Sequence, residues 1–254
     1  MPIRYNFLVY LTTLLVVPFA SLLGAPFWES QYWHPVFGIE SGVVISSDAG
    51  KSQTFPISDS SPEFYKYARK SNTQTEVIYG GFAGAEWQAP SRWNLLLDVN
   101  YMQSTPFSVK GTLTQGVDVA SEDSYDYHYK IIVRQLLVES KFSYVNTTRF
   151  QPYAQVGIGA SFNRAYSFST TVPPSLAFTR DYKNNTTVGF TYAVGAGVDI
   201  EIIDCLRTGV SYYFTDFGKI ALGSASIDGT SVSGTLRQHT FYANEVFAQL
   251  IFVF

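Results

Sequence analysis

The sequence has few charged residues and almost no cysteine. Charged side chains make up 15% of the 254 residues, well below the usual quarter. The formal net charge of −3 gives no reason to expect a nucleic-acid partner, which requires a basic face. Because Cys205 is the only cysteine, a disulfide within the chain and a cysteine-based metal site are both excluded. We expect neither a cofactor nor a metal.

Long hydrophobic runs are also absent beyond the N-terminal segment. No later stretch approaches the 18 consecutive apolar residues of a membrane-spanning helix, and the mean hydropathy of +0.04 is far too low for a bundle of apolar helices. Aromatic residues are abundant instead, with 18 Tyr and 20 Phe. Few charges, many aromatics and average hydropathy are together typical of a barrel that is wet on one face and apolar on the other.

Residues 1–25 have the features of a secretory signal peptide. Arg4 supplies the positive charge, residues 7–17 form an apolar core, and Pro18 ends that core before a stretch of small residues. A transmembrane helix is the alternative, but this apolar core is too short for one and is interrupted by polar residues. We therefore expect an exported protein with a mature domain at residues 26–254.

The mature chain contains eight segments in which apolar and polar residues alternate with period two, the signature of β-strands. In residues 189–202, for example, Phe190 and Val194 share one face, whereas Thr191 and Asp199 share the other. The eight segments are residues 36–46, 76–88, 92–102, a segment ending at Tyr144, 151–163, 189–202, 206–215 and a final segment ending at Phe254.

The connections between these segments are alternately short and long. The short ones are residues 89–91, 145–150 and 203–205, and the long polar ones are roughly residues 47–75, 104–126, 165–187 and 218–236. This alternation predicts an all-β fold, an antiparallel up-and-down transmembrane β-barrel of eight strands, with four long extracellular loops and both termini periplasmic. All four Trp fall near the short-turn end, as expected for an aromatic girdle. A ten-stranded barrel, with an added hairpin from residues such as 107–115, is the alternative.

Three stretches resemble a known family. They are QPYAQVGIGASF (residues 151–162), YAVGAGVD followed by GVSYYFTDFG (192–199 and 209–218), and the ending AQLIFVF (248–254). They are similar to the small outer-membrane β-barrel family that includes opacity proteins and the transmembrane domain of outer membrane protein A. The resemblance implies a multi-pass protein of the bacterial outer membrane that contacts membrane lipid and lipopolysaccharide. It also implies assembly by the barrel-assembly machinery, which would read a C-terminal signal at Leu250, Phe252 and Phe254.

The polar faces of the strands are expected to point into the lumen, which in an eight-stranded barrel is only wide enough for side chains to fill. The charged residues assigned to the lumen are Glu40, Glu86, Arg92, Asp98, Glu139, Lys141, Asp199, Glu201, Arg207 and Glu245. We interpret them first as an ion-paired, hydrogen-bonded plug. Because acids outnumber bases, a narrow porin-like path that prefers cations is the alternative.

The sequence says less about activity. Lys66, Arg69 and Lys70 lie in the first long loop, where they predict either a solvated loop or a surface patch for lipopolysaccharide phosphates or a host ligand. His128 and His239 are expected near the loop end, but no sequence motif fixes a Ser–His–acid arrangement. We therefore expect a structural or surface-interaction, adhesin-like barrel without catalytic activity. A narrow channel is the alternative, and an outer-membrane hydrolase is the remote one.

Overall fold

The computed structural model describes residues 33–48, 52–56, 63–70, 72–89, 92–116, 123–145, 148–173 and 179–254. The predicted signal peptide at residues 1–25 and Trp28 lie outside these ranges. Within them, no helix is long and apolar enough to cross a membrane.

Seventeen β-strands account for most of the described residues. They are β1 (Trp33–Asp48), β2 (Gln53–Pro56), β3 (Phe64–Arg69), β4 (Asn72–Gln88), β5 (Trp93–Ser104), β6 (Phe107–Gly116), β7 (Asp123–Ile132), β8 (Arg134–Tyr144), β9 (Phe150–Thr170), β10 (Asp181–Tyr182), β11 (Asn185–Ile203), β12 (Leu206–Asp216), β13 (Ile220–Ala221), β14 (Ala225–Ile227), β15 (Thr230–Val232), β16 (Arg237–Gln238) and β17 (Tyr242–Val253).

Eight of these strands form a closed antiparallel ring, and each corresponds to one of the eight alternating segments. Around the ring the order is β1, β4, β5, β8, β9, β11, β12 and β17, and β17 pairs back with β1. The pairing of β9 with β11 runs from Ala165↔Asn185 to Phe150↔Ile200, and it leaves the ring without an open edge. The predicted eight-stranded up-and-down barrel is therefore confirmed.

The ten-stranded alternative is wrong, although its extra hairpin exists. Residues 107–116 do form a strand, β6, but this strand pairs with β3 and β7 outside the ring. At the junction, Thr105 and Pro106 separate β6 from ring strand β5. The hairpin therefore lengthens the barrel wall on one side and does not widen the ring.

Burial in the ring is inverted relative to a soluble protein. Large apolar side chains lie exposed on the outer face, with Ile158 at 61% and Phe190 at 66% exposure. Residues on the inner face of the same strands, such as Asn163 and Thr191, are fully buried. Because water would penalise the apolar outer face and a bilayer would not, this pattern identifies a transmembrane barrel.

Tryptophans gather at the short-turn end of the ring. Trp33 lies opposite Trp87 in the pairing of β1 with β4, and Trp93 stacks on Phe142 with 4.9 Å between ring centroids. Phe254 lies at the same end, where its backbone N–H donates to the carbonyl oxygen of Pro35. These rings match the position expected of an interfacial aromatic girdle.

At the other end of the ring the long connections are folded. Nine additional strands lie there among the described residues, and we call them the cap: β2, β3, β6, β7, β10 and β13 to β16. A four-stranded sheet in the order β2-β3-β6-β7 joins the distal part of β9. The first two long connections, expected to be polar loops, therefore pair as strands of this sheet, and alternating aromatic residues such as Tyr65, Tyr67 and Tyr127 bury one of its faces.

Because the outer face of the barrel is apolar, a charged residue placed near the middle of the wall should lower the stability of the protein. We expect Ile158→Arg to destabilise the barrel in lipid vesicles by about 2–4 kcal/mol, because a cation on the lipid face loses its hydration. Denaturant unfolding followed by tryptophan fluorescence measures this loss. The control Ser231→Arg, on exposed β15, should change stability by less than about 0.5 kcal/mol. Equal effects of the two substitutions would contradict a lipid-facing Ile158.

Candidate functional site

The lumen contains eight of the ten charged residues predicted for it. Those buried in the ring interior are Glu40, Glu86, Asp98, Glu139, Lys141, Asp199, Arg207 and Glu245. Glu201 is only half-buried, near the short-turn end, where it accepts a hydrogen bond from Gln151 Nε2 at 3.1 Å. The assignment of Arg92 to the lumen is wrong: this residue is exposed and precedes the first residue of β5, so the alternation does not extend to it.

Two buried ion pairs cross the lumen. Arg207 on β12 forms a bidentate pair with Glu86 on β4, with Nη1–Oε2 and Nη2–Oε1 distances of 2.6 and 3.0 Å. Lys141 on β8 contacts Asp199 on β11, with 2.5 Å between Nζ and Oδ2. Because the partners in each pair belong to strands that are not neighbours in the ring, the two pairs tie separated parts of the wall together.

Side-chain amides connect two of the remaining acids, Glu40 and Glu139. Asn100 Nδ2 donates to Glu40 Oε1 at 2.7 Å and to Glu139 Oε2 at 2.8 Å. Gln155 Nε2 donates to the same oxygen of Glu139 at 2.7 Å, and Gln249 Nε2 donates to Glu40 Oε2 at 3.1 Å. The sequence reasoning did not include these three amides among the lumen residues. Their place on the polar face of each strand was the signal that could have found them.

A glycine lies opposite each of four buried acids on a neighbouring strand. The pairs are Glu40↔Gly80, Asp98↔Gly84, Glu139↔Gly157 and Asp199↔Gly209. A Cβ added at Gly209 would lie 2.3 Å from Asp199 Oδ1, and one at Gly157 would lie 2.9 Å from Glu139 Oε1. Gly157 and Gly209 therefore provide the space into which the acidic side chains of Glu139 and Asp199 extend.

The lumen has more negative than positive groups. Six carboxyl groups and two cationic side chains are buried in the described ring interior. One oxygen each of Asp98, Glu139, Asp199 and Glu245 has no hydrogen-bond partner among the described residues. These side chains therefore fill the lumen as a polar plug. Two ion pairs join separated parts of the wall, and several carboxylate oxygens remain able to accept a further hydrogen bond.

The cap has an aromatic centre. Tyr67 lies between Tyr127 and Tyr182, with ring centroids 5.3 and 5.8 Å away, and Phe168 stands 4.9 Å from Tyr182. Burial away from water raises the pKa of Tyr65 and of Tyr182 to about 12. Both hydroxyls are therefore protonated at neutral pH, and this cluster is uncharged.

A buried arginine connects three of the long connections. Arg180 is 1% exposed, and its Nη1 and Nη2 donate to the backbone carbonyls of Ser233 and Pro56, each at 2.6 Å. Its guanidinium also stacks on Phe55, 4.7 Å from the ring centroid. Sequence reasoning missed this residue, because a single arginine in a predicted loop gives no signal of burial.

An open pocket of about 1150 Å³ lies where the cap meets the barrel. We call it the cap pocket, and its lining includes Gln53, Phe55, Arg69, Thr235, Arg237 and His239. Arg69 and Arg237 are both cationic, and the lining contains no Asp or Glu among the described residues. The cap pocket therefore combines positive charge, hydrogen-bonding side chains and the aromatic ring of Phe55.

The histidines do not form the arrangement that hydrolysis requires. His128 lies beside Ser169, with 3.0 Å between Nε2 and Oγ, whereas His239 lines the cap pocket. The contacts found among the described residues do not join His239 to His128 or to Asp216, which instead accepts a hydrogen bond from the Gly218 N–H. The described part of the chain also contains no group of three or more His, Cys, Asp or Glu suited to a metal ion.

The closed ring, the polar interior and the apolar outer face define the class of this protein as an eight-stranded antiparallel transmembrane β-barrel. No known protein-family model matches the chain. A curated relative from Rickettsia conorii, named "Putative adhesin RC1281", is 20% identical over 163 residues, which is 64% of this chain. The chain spans 63% of the length of that relative.

Two solved structures have a similar chain path. The outer membrane protein OprG from Pseudomonas aeruginosa is 14% identical, with a TM-score of 0.45 and coverage of 88% of this chain and 97% of that one. The outer membrane protease OmpT from Escherichia coli is 11% identical, with a TM-score of 0.44 and the same coverage.

The bidentate ion pair predicts strong coupling in the lumen. We expect Arg207→Met to cost about 3 kcal/mol, because it leaves the buried Glu86 without its cation. The double variant Glu86→Gln, Arg207→Met should recover much of that loss, because the charge left unpaired is removed with its partner. A double-mutant cycle of unfolding free energies in vesicles measures the coupling, and strictly additive effects would contradict the pairing.

Proposed function

We propose that this protein is an adhesin-like barrel of the bacterial outer membrane that presents its cap at the cell surface and has no catalytic activity. The observation that carries this proposal is the cap itself. Its strands, its buried aromatic cluster and Arg180 hold a fixed surface on a barrel whose lumen is occupied by paired side chains. Binding sites are commonly built on connections that a rigid scaffold holds in place.

The orientation of the barrel is part of the proposal. Trp33 begins β1 and Phe254 follows β17 at the short-turn end, and in bacterial outer-membrane barrels the short turns face the periplasm. The cap then faces outward. The predicted signal peptide and the name of the rickettsial relative support export and a surface role.

The cap pocket is the proposed ligand site. It is the place in the cap where Arg237 and His239, both exposed, lie beside a cavity large enough for a small ligand. Positive charge with hydrogen-bonding groups and one aromatic ring suits an acidic saccharide or an acidic peptide segment. The ligand therefore belongs to the anionic molecules of a neighbouring cell surface.

Orientation is tested with an epitope inserted in the β14–β15 turn, at Gly229. This residue has a positive φ of 78° and open space around it, so an insertion should leave the fold intact. We expect antibody labelling of intact bacteria. Labelling that requires permeabilised cells would contradict the outward cap.

Binding is tested by adhesion of bacteria that produce the protein to cultured host cells. We expect Arg237→Ser to reduce adhesion, because the cap pocket loses a cation. Lys219→Ser is the matched control, since it removes the same charge from an exposed residue that is not among the lining residues. Equal adhesion by wild type and by cells without the protein would overturn the adhesin-like role.

A narrow cation-preferring channel is the second candidate, and the excess of carboxyl groups over cations in the lumen favours it. Planar-bilayer recording separates the two functions. With the lumen cross-braced by Arg207–Glu86 and Lys141–Asp199, we expect no conductance steps from folded wild-type protein. Conductance steps that favour cations would show that the lumen is an open channel and would overturn the interpretation of its side chains as a plug.

A further inference from the structure

The outer face of the cap sheet continues the lipid-facing surface of the barrel. Along β9 the outward residues change from Val156 and Ile158 to Arg164 and Tyr166. Along β8 and β7 the same face changes from Val138 to Lys130 and His128. Because alternate side chains of a strand lie on the same face, the apolar belt leads directly into a basic surface on these neighbouring strands. Arg164 lies opposite Ile132, and Lys130 lies two residues farther from the membrane.

Basic residues lie side by side on this surface. Lys110 lies opposite His128 in the pairing of β6 with β7, and the Lys70 N–H donates to the Lys110 carbonyl at 3.1 Å. Two residues nearer the membrane, Lys130 lies opposite Tyr166. We call Lys70, Lys110, His128, Lys130 and Arg164 the basic face, and all five are exposed.

Acidic groups offset only a small part of this charge. On the outward face of the described cap sheet, Asp126 is the one carboxylate, and it pairs with Lys70 at 2.9 Å. The guanidinium of Arg164 lies 5.2 Å from the Tyr166 ring centroid. Lys70 and Lys110 lie side by side on adjoining strands, and neighbouring like charges on one face of a sheet repel each other, so this surface favours an external anion.

The height of the basic face identifies that anion. Four residues of β7 separate the level of Arg164 from that of His128, which is roughly 10 Å along the membrane normal for a tilted strand. A surface that leaves the apolar band and becomes basic within that distance lies at the level of lipid headgroups.

We infer that the basic face binds the phosphate groups of outer-leaflet glycolipids. Lys110, Lys130 and Arg164 donate to phosphate oxygens, and Tyr166 and the apolar belt below contact the sugar and acyl parts of the same lipid. The inference rests on the outer-membrane location proposed above, but it does not depend on adhesion. The lipid would fix the cap sheet relative to the membrane surface.

The test uses purified full-length protein folded in detergent micelles, titrated with bisphosphorylated lipid A and followed by native mass spectrometry. Lipid A without phosphates is the matched probe. We expect wild-type protein to bind the phosphorylated form on the order of 100-fold more tightly, with the difference falling as salt rises from about 50 to about 300 mM. Equal binding of the two lipids would overturn the inference, as would full competition by millimolar inorganic phosphate.

Matched variants locate the site. The triple variant Lys110→Gln, Lys130→Gln, Arg164→Gln should lose most of the preference for phosphorylated lipid. The control Arg149→Gln, Lys183→Gln, Lys219→Gln removes three exposed cations that lie outside both the basic face and the cap pocket and should keep it. A heat-modifiable band on gels shows that each variant is folded, and the single variant Lys130→Gln, with a smaller expected loss, serves if the triple variant does not fold. Equal losses in both triple variants would show general charge attraction and contradict the site.

The adhesin-like role and the glycolipid site are tested by independent experiments, so that either can be overturned without the other. Adhesion depends on Arg237 in the cap pocket, whereas lipid binding is measured without cells and depends on residues of the basic face. Retained lipid A preference with no adhesion would therefore overturn only the adhesin-like role.

Discussion

The structure depends on pairing polar side chains inside a ring that is too narrow to hold free water around each of them. A bilayer requires an apolar outer face, and strand alternation then sends every second residue inward, where a charge needs a partner. Arg207 with Glu86 and Lys141 with Asp199 supply two such partners. Asn100, Gln155 and Gln249 supply further hydrogen bonds. Gly157 and Gly209, opposite two of the acids, leave space for this network.

The same alternation builds the cap. Where β5, β8 and β9 leave the apolar band, their hydrogen-bonding edges continue into β6, β7 and the distal part of β9. The inward face there becomes aromatic, with Tyr67 and Tyr127 at its centre, and the outward face becomes basic. The cap sheet is therefore an extension of the barrel wall, and its pairing with β9 holds it in place.

The eight ring strands could be predicted from the sequence because the lipid imposes strict alternation on each of them. The same rule correctly placed eight of the ten charged residues in the lumen. The prediction for Arg92 was wrong because this residue precedes the first residue of its strand. The partners could not be predicted: which carboxylate Arg207 meets depends on strand stagger around the ring. Most of the cap was missed because its alternation, as in Tyr65 and Tyr67 of β3, is short and is interrupted by connections that look like loops. Arg180 and the cap pocket arise only when distant connections meet.

The central claim is that successive side chains of each ring strand meet lipid and lumen in turn. Spin labels placed singly along β11, from Val188 to Val198, in protein with Cys205 replaced and reconstituted in vesicles, test it directly. Collision with oxygen dissolved in the bilayer should be high at Phe190, Tyr192 and Val194 and low at Thr191 and Ala193, with a period of two residues. Uniform collision rates along the strand, or a period near 3.6 residues, would contradict the account.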